Sequence, residues 1–336
     1  TIGVIGPNAN SRAALVGNYE GTASRYVTVL EGIQDYVGDD VRVMYSEGCA
    51  LFKDRVCVLS EPNDRLAEVK GVCEASDVVI VCLGLDATLE GEEGDTGNEF
   101  ASGDKPDLNY PGLQNEILKA AYESGKPVVL VSLTGSAMDL SWADEHIPAI
   151  VQAWYPGSRG GEAVARLLFG ECSPEGKLPV TFYRSVEELP EFTDYSMKNR
   201  TYRYAVDNIL YPFGFGLTYS KVECTDLKYD NFTAEIALKN TGTKDTEDVV
   251  QLYIKDTFEC AVPNYSLCGF KRVFLKAGES IKICINIDKT AFEVVDENGI
   301  RAIKGKTFTL FAGTSQPDAL SEKLNDAKCL STQINL

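Results

Sequence analysis

The sequence predicts two domains of different class in series. An α/β domain, with a mostly parallel sheet sandwiched by helices, occupies residues 1–185, and an all-β sandwich follows over residues 221–336. The apolar runs at 78–83 (VVIVCL) and 128–133 (VVLVSL) are continuous rather than alternating, which marks strands buried on both faces. The stretches between them carry apolar residues at helical spacing. Beyond residue 220 the hydrophobic period shifts to two, and turn signals punctuate it. With 336 residues, 44% of them hydrophobic, the chain has material for both cores.

The first domain opens at once on a buried strand, residues 1–5, closed by the turn Gly6-Pro7-Asn8-Ala9-Asn10. A central strand without a lead-in reads as the carboxyl-terminal part of a longer polypeptide, whose own start would carry any targeting signal. The glycines of this turn invite a dinucleotide-binding reading, but GxGxxG is absent and no acidic residue closes a matching strand. A helix is expected over 28–37, a strand over 41–45 and a polar-faced helix over 61–74 before the strand at 78–83. After a long loop, apolar residues at 113, 117, 118, 121 and 122 mark a helix, and Gly125-Lys126-Pro127 turns into the strand at 128–133. Another strand falls at 147–153 and another helix at 160–169, where Gly160-Gly161 permits a close helix approach. Buried strands separated by helices form a parallel sheet covered on both sides.

The loop between 84 and 112 organises the domain. It starts at the carboxyl end of a buried strand, where open α/β sheets keep their sites, and has neither helical nor strand periodicity. Loops of this length in compact domains are functional or disordered. Here Glu90, Glu92, Glu93, Asp95, Glu99, Asp104 and Asp107 alternate with glycines and end at Tyr110-Pro111-Gly112. Crowded carboxylates raise one another's pKa and suit proton transfer near neutrality. The bland alternative is a solvated acidic loop. With few apolar anchors, residues 86–110 are expected to be the most mobile part of the domain.

Residues 186–220 dissolve into turns rich in aromatics, including Tyr202, Tyr211, Phe213 and Phe215, which reads as a connector packed along the α/β domain. Strands follow at 232–238, 249–254, 271–275, 280–287 and 307–311, with turns at 240–242, 277–278 and 297–299. Short alternating strands at this spacing indicate a sandwich of the immunoglobulin or fibronectin type III kind.

Composition excludes whole classes of function. Fifty Asp and Glu against 32 Lys and Arg give a net charge of -18 with no basic cluster, so neither nucleic acid nor an anionic membrane is the partner. No apolar run approaches the roughly 20 residues that span a bilayer. The ten cysteines lack CxxC spacing and several, such as Cys82 and Cys284, fall inside apolar strand patterns, so they read as reduced core residues in a cytoplasmic setting. One histidine, His146, rules against a Ser/His/Asp triad or a histidine metal centre and reads as structural. No cofactor or metal is expected, save that an acidic surface could take calcium.

Several motifs together resemble glycoside hydrolase family 3, in the branch of β-xylosidases and β-glucosidases. They are GVIGPNA at 3–9, VVIVCLGLDATLEGEEGD at 78–95, GDKPDLNYPGLQ at 103–114, AWYPGSRGGEAVARLLFGECSPEGKLPVTF at 153–182, RTYRY at 200–204 and YPFGFGLTYS at 211–220. Lys105 departs from the pattern, standing where Arg is usual after Gly-Asp. The resemblance implies the carboxyl-terminal α/β-sandwich and fibronectin type III-like domains of a retaining enzyme acting on terminal β-linked xylose or glucose. It also implies a partner, an amino-terminal (β/α) barrel of the same protein carrying the nucleophilic Asp, while the acidic loop supplies the general acid/base. Glu90 is the first candidate and Glu92 the second, with Glu93 and Glu99 behind them. Alone, the chain would fold but not hydrolyse a β-linked oligosaccharide or other glycoside. A different class remains open: a non-catalytic carbohydrate-binding or interaction module, in which the acidic loop and aromatics such as Trp154 and Tyr155 hold sugar without cleaving it. Those two aromatics could equally fill the sheet edge.

Overall fold

The structure, a computed structural model, describes residues 1–18, 20–52, 64–90, 105–187 and 189–336. The chain divides into two compact units, Thr1–Glu171 with Arg184–Val186, and Cys172–Tyr183 with Glu187–Leu336.

The first unit alternates strand and helix: β1 (Ile2–Ile5), α1 (Val29–Val37), β2 (Val43–Ser46), α2 (Asp64–Glu74), β3 (Val78–Gly84), α3 (Gln114–Glu123), β4 (Val128–Leu133), α4 (Ser141–His146), β5 (Ala149–Gln152) and α5 (Gly160–Leu168). The strands pair in parallel in the order β2-β1-β3-β4-β5, with Val4 beside Ile80 and Val81 beside Leu130. Both sheet faces are covered, which is why these strands read as unbroken apolar runs. On one face Val4, Ile80, Cys82, Val131 and Leu133 share a core with Ile33 of α1 and Val164 of α5. On the other, Gly3 lies against Val72 of α2 and Ser76 just beyond it.

Helix α1 is capped by Thr28, whose hydroxyl accepts the Glu31 N–H, a Ser/Thr-x-x-Glu start legible in the sequence. Helices α1 and α5 meet backbone to backbone: a Cβ on Gly161 would lie 1.8 Å from the Thr28 carbonyl oxygen, and one on Gly32 would lie 2.2 Å from the Gly161 carbonyl. In α4, an unforeseen helix, the ring of His146 stacks on Trp142 with centroids 4.4 Å apart, and its Nδ1 is 2.8 Å from the Trp142 carbonyl. That is a satisfied structural histidine. The strand order reverses between β1 and β3, so the carboxyl ends of these strands border the crevice where such sheets bind ligands.

The second unit contains β6 (Phe182–Tyr183), α6 (Thr201–Tyr204), β7 (Ile209–Tyr211), β8 (Val222–Asp230), β9 (Thr233–Asn240), β10 (Thr246–Asp256), β11 (Ser266–Leu275), β12 (Ser280–Asn286), β13 (Val294–Val295), β14 (Arg301–Ala302), β15 (Thr307–Gly313), α7 (Ala319–Asn325) and β16 (Leu330–Asn335). Two antiparallel sheets, ordered β11-β10-β15-β16 and β12-β9-β8, enclose one core of Ile236, Leu238, Val250, Leu252, Phe308 and Leu310. This is the predicted sandwich.

The first compact unit runs through Glu171 and takes in Arg184–Val186, and residues 187–220 fall in the second unit. There Tyr202 stacks on Phe213 at 4.3 Å and meets Tyr253 of β10 edge-on, while the Gln251 side chain donates to Gly214 O at 2.9 Å. Cys284 is not a core residue: it alternates to the exposed side of β12, between buried Ile283 and Ile285. Within the same unit Lys177 reaches Asp248 at 2.8 Å with both side chains buried.

Candidate active site

The site forms at the carboxyl ends of β3, β4 and β5. After β3 the chain runs Leu85-Asp86-Ala87-Thr88-Leu89-Glu90, and Asp86 organises it. The Asp86 carboxylate accepts the Thr88 N–H at 2.9 Å and the Thr88 hydroxyl at 2.6 Å. Its carbonyl accepts the N–H groups of Leu89 and Glu90 at 3.0 and 3.1 Å. Leu89 is buried, so this tight turn is held from below by apolar contact and from within by hydrogen bonds.

The turn delivers the Glu90 side chain to a receptor made by the segments after β4 and β5. Oε2 accepts the Gly135 N–H at 2.8 Å and the Tyr155 hydroxyl, and Oε1 accepts the Ser136 hydroxyl. Glycine at 135 leaves room for this contact: a Cβ there would stand 2.7 Å from Oε2 and 2.8 Å from the Tyr155 ring, so Glu90 or Tyr155 would have to shift. Burial, and then the bond to Glu90, push the Tyr155 phenol well above its ordinary pKa, so it keeps its proton and donates it. Before it, Trp154 adopts a left-handed backbone, φ 58°, a conformation costing a bulky residue about 1–3 kcal/mol that is found where a fold must aim a side chain. The Tyr155 hydroxyl thus holds a carboxylate.

Across the loop, Lys105 extends its ammonium to the Ala137 carbonyl at 3.1 Å and the Met138 sulfur at 3.3 Å. Burial lowers its pKa, opposed by the nearby charges of Glu90 and Asp107. Farther along, Asp139 N–H donates to Leu108 O at 2.7 Å and the Tyr110 hydroxyl reaches Ser132 Oγ at 2.7 Å. Gln114 then closes the return: its amide pairs with both the N–H and the carbonyl of Gly84, at 2.7 and 2.8 Å, and donates to Leu51 O at 2.8 Å. Beside Asp86 a cleft of ≈ 430 Å³ opens at the ends of β1 to β3, lined by Asn10, Ser11, Tyr45 and Glu47 among others.

Of the predicted acid/base candidates, Glu90 is placed in this receptor. Glu92, Glu93 and Glu99 lie outside the described residues, as does most of the stretch for which mobility was expected. The receptor residues Gly135, Ser136 and Tyr155 were not singled out for this role. Thr134-Gly135-Ser136 follows directly on an apolar parallel strand, and that position was the available signal. Among the described residues, no three His, Cys, Asp or Glu side chains gather so as to hold a metal ion. No described helix is long and apolar enough to cross a membrane.

The sequence profile of the glycosyl hydrolase family 3 C-terminal domain matches residues 1–219. The chain belongs to glycosyl hydrolase family 3. A profile of the fibronectin type III-like domain matches residues 248–316 of the same chain. This family 3 chain is 41% identical over 271 residues to a xylan 1,4-β-xylosidase of Xylanibacter ruminicola, an alignment covering 78% of the chain and 31% of that protein. It is 30% identical over 349 residues to a periplasmic β-glucosidase of Salmonella typhimurium, covering 93% and 44%. Its fold superposes on a β-glucosidase from Erythrobacter marinus with a TM-score of 0.81 at 28% identity, covering 100% of this chain and 46% of that one. A family 3 β-glucosidase from Bifidobacterium adolescentis gives the same score and identity over 100% and 49%. The chain thus spans less than half the length of these relatives.

Proposed function

We propose that this chain is the carboxyl-terminal part of a retaining exo-β-glycosidase acting on terminal β-linked xylose or glucose. Its acidic loop supplies the general acid/base to a nucleophilic carboxylate on an amino-terminal barrel of the same protein. Retention needs two carboxyl groups about 5 Å apart, one attacking the anomeric carbon and the other first protonating the departing oxygen, then deprotonating water. The observation that carries this reading is a carboxylate-rich loop leaving the end of a central parallel strand in a chain of this family, with its stem fixed by its own domain.

The seat of Glu90 supports a division of roles between the two glutamates. Among the described residues, the three partners of the Glu90 carboxylate donate to it, and the Gly135 N–H can only donate, so this carboxyl serves as an acceptor seated in its own domain. A general acid has to carry its own proton outward to the substrate oxygen. We therefore assign proton transfer to Glu92 and seating of the loop to Glu90.

The test is Glu92→Gln in the full-length glycosidase. Turnover of an unactivated β-glycoside should fall by about 10² to 10⁴, the usual worth of general acid/base catalysis, while a dinitrophenyl glycoside is affected far less in its first step. Azide, which needs no deprotonation, should restore turnover and give a glycosyl azide of retained configuration. Azide rescue of Glu90→Gln instead would move the assignment back by two positions, and rescue of neither variant would defeat the loop reading. Paired aryl xyloside and glucoside substrates decide the sugar. This 336-residue chain by itself is expected to leave both untouched.

A further inference from the structure

The backbone contact between α1 and α5 borders a groove of ≈ 440 Å³ in the first unit, whose lining includes Gly32 of that contact. Asp35 and Tyr36 reach it from the last turn of α1, Glu162 and Arg166 from α5, and Arg25, Arg159 and Glu171 from the segments beside the helices. Each guanidinium is paired with a carboxylate of the same groove. Arg25 meets Asp35 at 3.2 Å, Arg159 meets Glu162 at 2.5 Å and Arg166 meets Glu171 at 2.8 Å. These six side chains are 45–63% exposed, and ion pairs this open to water add little to stability. What they supply is order, since each charged group is already held in place and loses little rotamer freedom on meeting a ligand.

Among the described residues that line the groove, three cations thus stand beside three anions. An anionic ligand would meet as much repulsion as attraction. A hydroxyl group is donor and acceptor at once, so neighbouring hydroxyls can take N–H bonds from a guanidinium and donate to its carboxylate. The groove also has an aromatic wall. Tyr36 stacks on Phe169 with ring centroids 4.7 Å apart and planes within 6°, yet the two residues stay 41% and 38% exposed. A pair of large aromatics left at the surface marks an interaction site more than a core. The negative face of such a ring suits the C–H face of a pyranose, and the volume lies in the range of small-ligand sites.

We infer that this groove binds a neutral oligosaccharide, with a sugar face against Tyr36 and its hydroxyls on the ion pairs. Taking xylose or glucose oligomers as the ligand rests on the proposed glycosidase reading, whereas the preference for a neutral polyol follows from the lining itself.

The test is a titration of the isotope-labelled 336-residue chain with xylotetraose, cellotetraose and inorganic phosphate, followed by amide NMR. At least one of the sugars should shift the Gly32, Tyr36 and Glu162 amides saturably, and phosphate should leave them in place. Tyr36→Ala should weaken sugar binding about tenfold and Tyr36→Phe less than about twofold, because the ring face carries the stacking. Glu162→Gln, which unties Arg159, should weaken it about threefold. Should Tyr36→Ala not fold, Tyr36→Phe together with Glu162→Gln still decides. No saturable shift with either sugar, a stronger response to phosphate, or shifts confined to Gly135 and Ser136 would overturn the inference. Each of those results leaves the glycosidase reading standing, since that depends on turnover by the full-length enzyme, and failure of azide rescue there leaves the groove untouched.

Discussion

Lys177→Met puts the second unit's buried ion pair to a quantitative test. Lys177 Nζ lies 2.8 Å from Asp248 Oδ1 and 2.6 Å from Gly216 O, with the two side chains 8% and 4% exposed. Methionine fills much the same volume but removes the charge, leaving the Asp248 carboxylate with the Val249 N–H at 2.7 Å. Stranding one member of a buried pair costs about 3–5 kcal/mol. With a urea m-value of about 2 kcal/mol/M, the unfolding midpoint should drop by about 2 M. Both tryptophans, Trp142 and Trp154, belong to the first unit, so the shift should appear in far-UV circular dichroism and leave the tryptophan fluorescence transition in place. The pH dependence follows from Asp248, whose pKa is raised by burial against the lowering influence of Lys177. A carboxyl raised in the folded state contributes stability that is fully present below its unfolded pKa, about 3.9, and is lost as pH rises through the folded value. Removing Lys177 raises Asp248 further, so the deficit of the variant should be largest at neutral pH and shrink toward pH 4. Replacing both residues, Lys177→Met with Asp248→Leu, should recover most of the loss. A deficit below about 1 kcal/mol at pH 7, or one that grows on acidification, would refute this account.

Gly135→Ala should cost the first unit about 3 kcal/mol by urea unfolding followed through tryptophan fluorescence, because the new Cβ displaces Glu90 from the Gly135 N–H and Tyr155, each a bond to a charged group worth about 1.5–3 kcal/mol. Gly161→Ala should cost at least the upper end of the roughly 1–3 kcal/mol of an overpacked site, since the clash at 1.8 Å is with the backbone of Thr28, the residue that caps α1. Gln114→Leu should lose about 3 kcal/mol or more by the same assay, for it orphans the buried N–H and carbonyl of Gly84 at about 1–3 kcal/mol per group. An effect under about 1 kcal/mol in any of the three would mean that the named contact is not what holds its segment.

What was legible in the sequence follows burial. Strands β3 and β4 could be read directly because a parallel sheet covered on both faces requires continuous apolar runs. Strands β8 and β16 were missed, and each is the edge of its sheet: a bulge between Cys224 and Asp226 shifts the alternation of β8, and in β16 the polar Thr332 stands at a half-buried position. The aromatics of 202–215 carry no periodicity of their own, and what they pack on shows only once Tyr253 and Gln251 of β10 are seen to receive Tyr202 and Gly214. At the site, Glu90 stood out as a carboxylate just beyond a strand end, but its receptor is 45 to 65 residues away in sequence, at Gly135 and Tyr155. No local pattern ties a glycine in one turn to a glutamate in another. Only the parallel pairing of β3 with β4 and β4 with β5 brings their ends into line.

The shared seat of Glu90 and Lys105 makes residues 91–104 an exchangeable cassette. The described contacts of Glu90 and Lys105 lie outside it, so an insert of different length or composition would meet the same sockets at Gly135, Ser136, Ala137 and Met138. Doubling the length of a flexible insert costs only about 0.6 kcal/mol in closure entropy. Cassette exchange between family members, cut immediately after Glu90 and immediately before Lys105, should therefore transplant the chemistry of one loop onto the scaffold of another without redesigning the sheet beneath it.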